Sequence, residues 1–85
     1  MPKIEIYTTM LCPYCHAAKR LLTSKQQTFT EIDVTADRAE RQQMVSRADG
    51  RKTVPQIFIN ELHIGGCDEL MALERAGKLD ALLTG

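Results

Sequence analysis

Apolar and polar residues change their spacing several times along this chain, and each change marks an element. From Lys3 to Thr8 they alternate, with Ile4 and Ile6 on one face and Glu5 on the other, which predicts a strand. From Pro13 the spacing becomes helical: Ala17, Ala18, Leu21 and Leu22 form one stripe, while Lys19, Arg20 and Lys25 fall on the polar side. Pro13 suits the first helical position, where its missing N–H is no loss. This helix should end near Ser24 to Gln26. A second strand is expected from Thr28 to Val34, a stretch rich in Phe, Ile, Val and Thr. Thr35 or Asp37 can cap a second helix, which turns Met44, Val45 and Ala48 inward and stops at Asp49-Gly50.

The third strand is predicted from Gln56 to Asn60. Its consecutive Ile57, Phe58 and Ile59 imply burial on both faces. Asn60-Glu61 reads as a two-residue turn into a fourth strand, Leu62 to Ile64, which Gly65-Gly66 breaks. A last helix begins near Cys67-Asp68 with Leu70, Met71 and Leu73 inward. Gly77 interrupts it, and Leu79, Leu82 and Leu83 form a final helical turn or two. The order β-α-β-α-β-β-α predicts an α/β fold, a small four-stranded mixed sheet flanked by helices. The first two strands should be parallel through a right-handed crossover, and the last two should form a hairpin.

Composition narrows the function classes. The 85 residues make one domain, 1–85, and the 11 basic residues balance the 11 acidic ones. Net neutrality argues against a nucleic-acid binder driven by bulk charge. No apolar run is long enough to span a membrane, and the N-terminus has no secretory pattern. Three cysteines are too few for a disulfide-stapled secreted scaffold, so a reducing compartment, the cytoplasm, is expected.

Chemistry enters with Cys12-Pro13-Tyr14-Cys15, which lies between the first strand and the first helix. A sulfur at a helix N-terminus meets unpaired N–H groups and the positive end of the helix dipole. Such sites lower a thiol pKa from about 8.5 to roughly 3.5–7.5, making the thiolate available as a nucleophile. Cys12 is placed to attack. Cys15, one turn into the helix and less exposed, is placed to resolve, and Tyr14 should project outward beside a bound partner. Two other readings of the spacing exist. A structural zinc needs four ligands, but only Cys67, His16 and His63 remain, with no second paired motif. Cys12 to His16 also has the form of a c-type haem attachment site, but a strand feeds it and no export signal precedes it.

Two further motifs share this pattern. Thr53-Val54-Pro55 precedes the third strand, where a starting proline is ordinary. Gly65-Gly66-Cys67-Asp68 is a turn and helix N-terminus, a geometry that receives anions. Cys67 reads as a buried small side chain or, alternatively, a regulatory thiol.

The three motifs, in this order and on these elements, resemble a dithiol glutaredoxin of the thioredoxin fold over essentially the whole chain. The resemblance implies a glutathione-dependent thiol–disulfide oxidoreductase that reduces protein disulfides and glutathione mixed disulfides. Cys12 and Cys15 would be catalytic. Tyr14, Thr53, Val54, Pro55, Gly66, Cys67 and Asp68 would hold glutathione, with Pro55 cis, the Cys67 and Asp68 amides on the γ-glutamyl carboxylate, and the Asp68 carboxylate on the amino group. Glutathione is then a co-substrate and no metal is expected. Partners would be disulfide-containing or glutathionylated proteins, ribonucleotide reductase among the family's candidates, met by a monomer. Other activities compatible with the resemblance are a thioredoxin-like reductant served by a flavoprotein reductase and an iron–sulfur cluster carrier. One position departs from the family pattern: where a lysine commonly stands three residues before the first cysteine, this chain has Thr9. Arg51, Lys52 and Arg38 are the candidates to supply that charge.

Overall fold

A computed structural model of the chain describes residues 2–84. Four strands, β1 (Ile4–Thr8), β2 (Thr30–Asp33), β3 (Gln56–Ile59) and β4 (Leu62–Gly65), make one sheet in the order β2-β1-β3-β4. β1 runs parallel to β2 and antiparallel to β3, and β3 pairs antiparallel with β4. The helices are α1 (Pro13–Ser24), α2 (Arg38–Arg47), α3 (Cys67–Arg75) and α4 (Leu79–Thr84).

Side-chain alternation along the strands divides the core in two. Ile4, Ile6, Ile57 and Ile59 pack with Ala18 and Leu22 of α1, Cys67 and Leu70 of α3, and Leu79 and Leu83 of α4. Tyr7 and Phe58 point the other way and pack with Val34, Met44 and Ala48. The sheet is therefore covered on both faces, with α2 alone on the second. Glu5, read from the sequence as a polar-face residue, lies on that second face. Arg47 of α2 meets its carboxylate through Nη2 at 2.8 Å and Nη1 at 3.3 Å, donates to the Tyr7 hydroxyl at 2.9 Å, and stacks 4.0 Å from the Phe58 ring centre. Burial and the Glu5 carboxylate act on this guanidinium in opposite directions, and the carboxylate wins, holding its pKa above the ordinary range.

Several strand bounds differ from the sequence expectation by one or two residues, β2 most, and the interruption expected at Gly77 makes α4 an element of its own. β2 begins at Thr30 rather than Thr28, because it is an edge strand with four paired residues and a largely exposed surface. Phe29 instead packs against the α1 side of the core. The last helix divides in two, so the order is β-α-β-α-β-β-α-α. Gly77, at φ +71°, places its own N–H on Glu74 O and the Lys78 N–H on Leu73 O. That pattern is the Schellman stop, and it frees α4 to fold back and bury Leu79 and Leu83. The Asn60-Glu61 turn is as read: both residues have positive φ, as a two-residue hairpin of this hand requires.

Candidate active site

The sheet order brings the three motifs together. The C-terminal end of β1, the N-terminal end of β3 and the C-terminal end of β4 lie at the same edge, since Tyr7 pairs with Gln56 and Ile57 with Gly65. The loops leaving that edge carry Cys12, Thr53 to Pro55, and Gly66 to Asp68.

Cys12 is the N-cap of α1, in extended conformation, and its Sγ accepts the Cys15 N–H at 3.1 Å. The first turn of α1 carries no acidic residue, so nothing there opposes a sulfur anion. Cys12 and Cys15 are joined as a disulfide with their Cα atoms 5.2 Å apart. Cys12 keeps 7 % of its surface and Cys15 none. Cys12 Sγ also lies 3.8 Å from the Val54 carbonyl oxygen. The Val54–Pro55 peptide is cis.

One cleft adjoins this pair. It is lined by Tyr14, Thr53, Val54, Pro55, Gly66, Cys67 and Asp68, all of them anticipated, and by Arg51 and Glu69. Tyr14 is 65 % exposed at its rim, as expected of an outward side chain. The floor at Gly66 has no room to spare, because a Cβ there would sit 3.2 Å from the Pro55 carbonyl oxygen. Cys67 is buried, and that burial, with Asp68 and Glu69 nearby, pushes its thiol pKa up.

Glu69 and Gln56 are the supporting residues that sequence reasoning did not assign, and Arg51 was one of three candidate cations. Glu69 accepts the Gly66 N–H at 2.6 Å and pairs with Arg51 Nη1 at 3.1 Å. These contacts hold its carboxyl pKa below the ordinary value, the Gly66 N–H being the larger cause. With the Gly66 N–H satisfied by Glu69, the next amides at the start of α3 belong to Cys67 and Asp68, which both line the cleft. Gln56, fully buried, donates from Nε2 to the Thr53 carbonyl at 3.0 Å, and its Oε1 lies 2.7 Å from His63 Nε2. This side chain ties the Thr53 loop to β4. A glutamine between Pro55 and Ile57 gave no such signal, since its partners are remote in sequence or set by the turn. The sequence spacing Gly66-x-x-Glu69, half of a capping box, did carry a readable hint. Among the three candidate replacements for the family's lysine, only Arg51 lines the cleft. Arg38 and Lys52 line a separate groove with Arg41, Gln42 and Val45. Among the described residues, no three of His, Cys, Asp and Glu converge as metal ligands, and no helix is long and apolar enough to cross a membrane.

A disulfide-linked cysteine pair at a helix N-terminus, on this sheet and beside a polar cleft, defines a redox-active dithiol protein of thioredoxin-like fold. Comparison with known proteins narrows the class. A sequence model of the glutaredoxin family matches residues 4–64. The chain is 54 % identical over 83 residues to glutaredoxin 3 of Escherichia coli, covering 98 % of this chain and 99 % of that one. It is 55 % identical over 84 residues to a glutaredoxin of Pseudomonas aeruginosa, covering 99 % of each. The solution structure of a glutaredoxin from Brucella melitensis superposes with a TM-score of 0.83 at 53 % identity, over 95 % of this chain and 87 % of that one. A crystal structure of a buckwheat glutaredoxin–glutathione complex superposes with a TM-score of 0.88 at 30 % identity, over 98 % of this chain and 77 % of that one. The chain belongs to the glutaredoxin family and is a glutathione-dependent thiol–disulfide oxidoreductase.

Proposed function

We propose that Cys12 is the attacking sulfur, Cys15 the resolving one, and the adjoining cleft the seat of glutathione. The observation that carries this reading is the position of Cys12 as the N-cap of α1, where its Sγ accepts the Cys15 N–H and it keeps 7 % of its surface against none for Cys15. The N–H of Cys15 and the start of α1 stabilise Cys12 as a thiolate in the reduced protein.

In deglutathionylation, the Cys12 thiolate attacks the glutathione sulfur of a mixed disulfide. The substrate's sulfur leaves as a thiolate and takes a proton from solvent. A second glutathione thiolate then attacks the Cys12-bound glutathione, releasing oxidised glutathione and restoring Cys12. With a protein disulfide, Cys12 forms the mixed disulfide with the protein. The Cys15 thiolate displaces the protein, and the resulting Cys12–Cys15 disulfide is reduced by two glutathione molecules. Each step exchanges one S–S bond for another: a glutathione mixed disulfide consumes one free glutathione thiol, and a protein disulfide consumes two.

The cleft suits the tripeptide at both ends. The Cys67 and Asp68 amides, at the N-terminus of α3, favour the γ-glutamyl carboxylate, and the Asp68 carboxylate favours the adjoining ammonium. The Val54 backbone can pair with the cysteinyl unit in the manner of an added strand, and Tyr14 flanks it. Arg51 supplies a cation on the same wall, offsetting in part the lysine absent at Thr9. The glutathione complex of the buckwheat relative supports glutathione as the ligand. Glutathionylated and disulfide-bonded proteins are the partners this chemistry serves, in a cytoplasm where glutathione is kept reduced.

The test is a pair of variants assayed by glutathione-coupled reduction of a small mixed disulfide. Cys15→Ser should keep the activity and Cys12→Ser should abolish it. Activity retained by Cys12→Ser, or lost only in Cys15→Ser, would reverse or remove the assignment.

A further inference from the structure

Gln56 opens β3 with no exposed surface, although its side chain is a primary amide. Taking an amide out of water is costly unless its polar atoms find partners. Here they do. Nε2 donates to the Thr53 carbonyl at 3.0 Å and to Thr53 Oγ1 at 3.3 Å, and Oε1 lies 2.7 Å from His63 Nε2. The directions follow from the groups themselves. The Thr53 carbonyl only accepts, so the amide nitrogen faces it; Gln56 Oε1 only accepts, so the imidazole donates from Nε2. His63 is held in turn, stacked on Phe58 with ring centres 5.0 Å apart. A continuous chain of contacts thus runs from β4 through β3 to the Thr53 loop.

This chain fixes a peptide plane. The Thr53 carbonyl and the Val54 N–H belong to one trans peptide unit, so they point in opposite directions. With the carbonyl tied to Gln56, the N–H is turned away from it. Val54 lines the cleft, and its N–H meets no acceptor among the described residues. Without the Gln56 bonds, the plane could rotate about the two soft dihedrals that flank it and carry the N–H elsewhere. Neither Gln56 nor His63 lines the cleft itself.

We propose that Gln56 and His63 are positioning residues that aim the Val54 N–H into the cleft, and that they thereby favour disulfides whose sulfur belongs to a peptide. This rests on the functional reading above and extends it to two residues outside the cleft. The cysteinyl unit of glutathione has backbone carbonyls that can accept from Val54, and a disulfide without a peptide group has none. The pair acts on recognition of the tripeptide. It changes no step of the sulfur exchange.

The experiment mixes the reduced protein with oxidised glutathione or with bis(2-hydroxyethyl) disulfide, which has no peptide group. Loss of the dithiol is followed by acid quench and mass spectrometry, and the ratio of the two rate constants is the readout. The native protein should prefer oxidised glutathione. Gln56→Met has similar length and no amide. It should lose roughly tenfold of that preference, which corresponds to about 1.4 kcal/mol, with the hydroxyethyl rate within about twofold of native. His63→Phe keeps an aromatic ring against Phe58 but donates nothing, and should lose about threefold. His63→Gln returns a donor and should restore the preference. The double variant Gln56→Met/His63→Phe leaves no orphaned polar group between the two sites, so it should melt closer to native than His63→Phe alone while its preference stays low. A preference kept by Gln56→Met, an equal fall in both rates, or a preference regained by the double variant would overturn the positioning role and leave the glutathione reading standing. No preference in the native protein would strike the glutathione cleft first, and the positioning role with it.

Discussion

Gly65→Ala tests whether the α3 end of the cleft is built as described. Gly65 closes β4 at φ +116°, a backbone conformation that a residue with a Cβ scarcely populates. Forcing one there costs roughly 1–3 kcal/mol. A Cβ would also lie 2.6 Å from Glu69 Oε1 and 2.9 Å from its Cγ, so the Glu69 side chain would have to leave. Its departure removes the bond to the Gly66 N–H and the contact with Arg51. The first is a charge-assisted hydrogen bond worth about 1–2 kcal/mol in this half-exposed setting. The second is a surface pair worth little. The total loss is roughly 2–5 kcal/mol, against an expected stability of roughly 4–13 kcal/mol for a chain of this size. Urea unfolding followed by circular dichroism should show a midpoint lowered by about 2 M or more, for a slope of about 1 kcal/mol per molar. Gly77→Ala is the control, since Gly77 also has positive φ but a Cβ there would meet nothing within 4 Å. It should cost only about 1 kcal/mol. Glu69→Ala placed in the Gly65→Ala background should then cost less than it does alone, because the displaced carboxylate no longer contributes. If Gly65→Ala lowered the midpoint no further than Gly77→Ala, the clash and the Glu69 contact would be wrong.

Further outcomes follow from other parts of the molecule. Arg47→Ala leaves the Glu5 carboxylate and the Tyr7 hydroxyl without their shared donor on the α2 face, and should cost about 2–3 kcal/mol, a fall in Tm of roughly 10–20 °C. A fall of under about 4 °C would show that the pair contributes nothing net. Glu31 is held below its ordinary carboxyl pKa of 4.5 by Lys19 first and Thr8 second, and Glu69 by the Gly66 N–H first and Arg51 second. Both folded values lie below the unfolded one, so this stability is complete above about pH 4.5 and is lost as acid carries the pH through the folded values. The urea midpoint should therefore fall between about pH 5 and pH 3, and less steeply in Glu31→Gln or Glu69→Gln; an equal fall in both variants would contradict it. In the reduced protein, brief iodoacetamide treatment followed by mass mapping should label Cys12 before Cys67, since burial raises the Cys67 thiol pKa. Early labelling of Cys67 would make it a reactive thiol after all.

Much of this protein is legible in its residues taken in order. The alternation at Ile4 to Thr8, the helical stripe ending at Leu22, the unbroken Ile57-Phe58-Ile59 and the Asn60-Glu61 turn are local signals, and each became the element expected. The roles suggested for Cys12 and Cys15 were also local, because a sulfur's place relative to a helix start depends only on neighbouring residues. What sequence could not supply were contacts between distant segments. Glu5 looked like a solvent-facing strand residue until Arg47, 42 positions away, closed on it across the second face of the sheet. Arg51 was one of three possible cations, and only the packing of β3 beside α3 set it against Glu69 and not with Arg38. The sheet order β2-β1-β3-β4 decided the rest. It carries the ends of β1, β3 and β4 to one edge, and so turns three separated motifs into one cleft beside the Cys12–Cys15 pair. Local spacing is set by the backbone geometry of helix and strand and can be read residue by residue. The meeting of remote groups depends on which faces bury each other, and that is settled only when the whole chain packs.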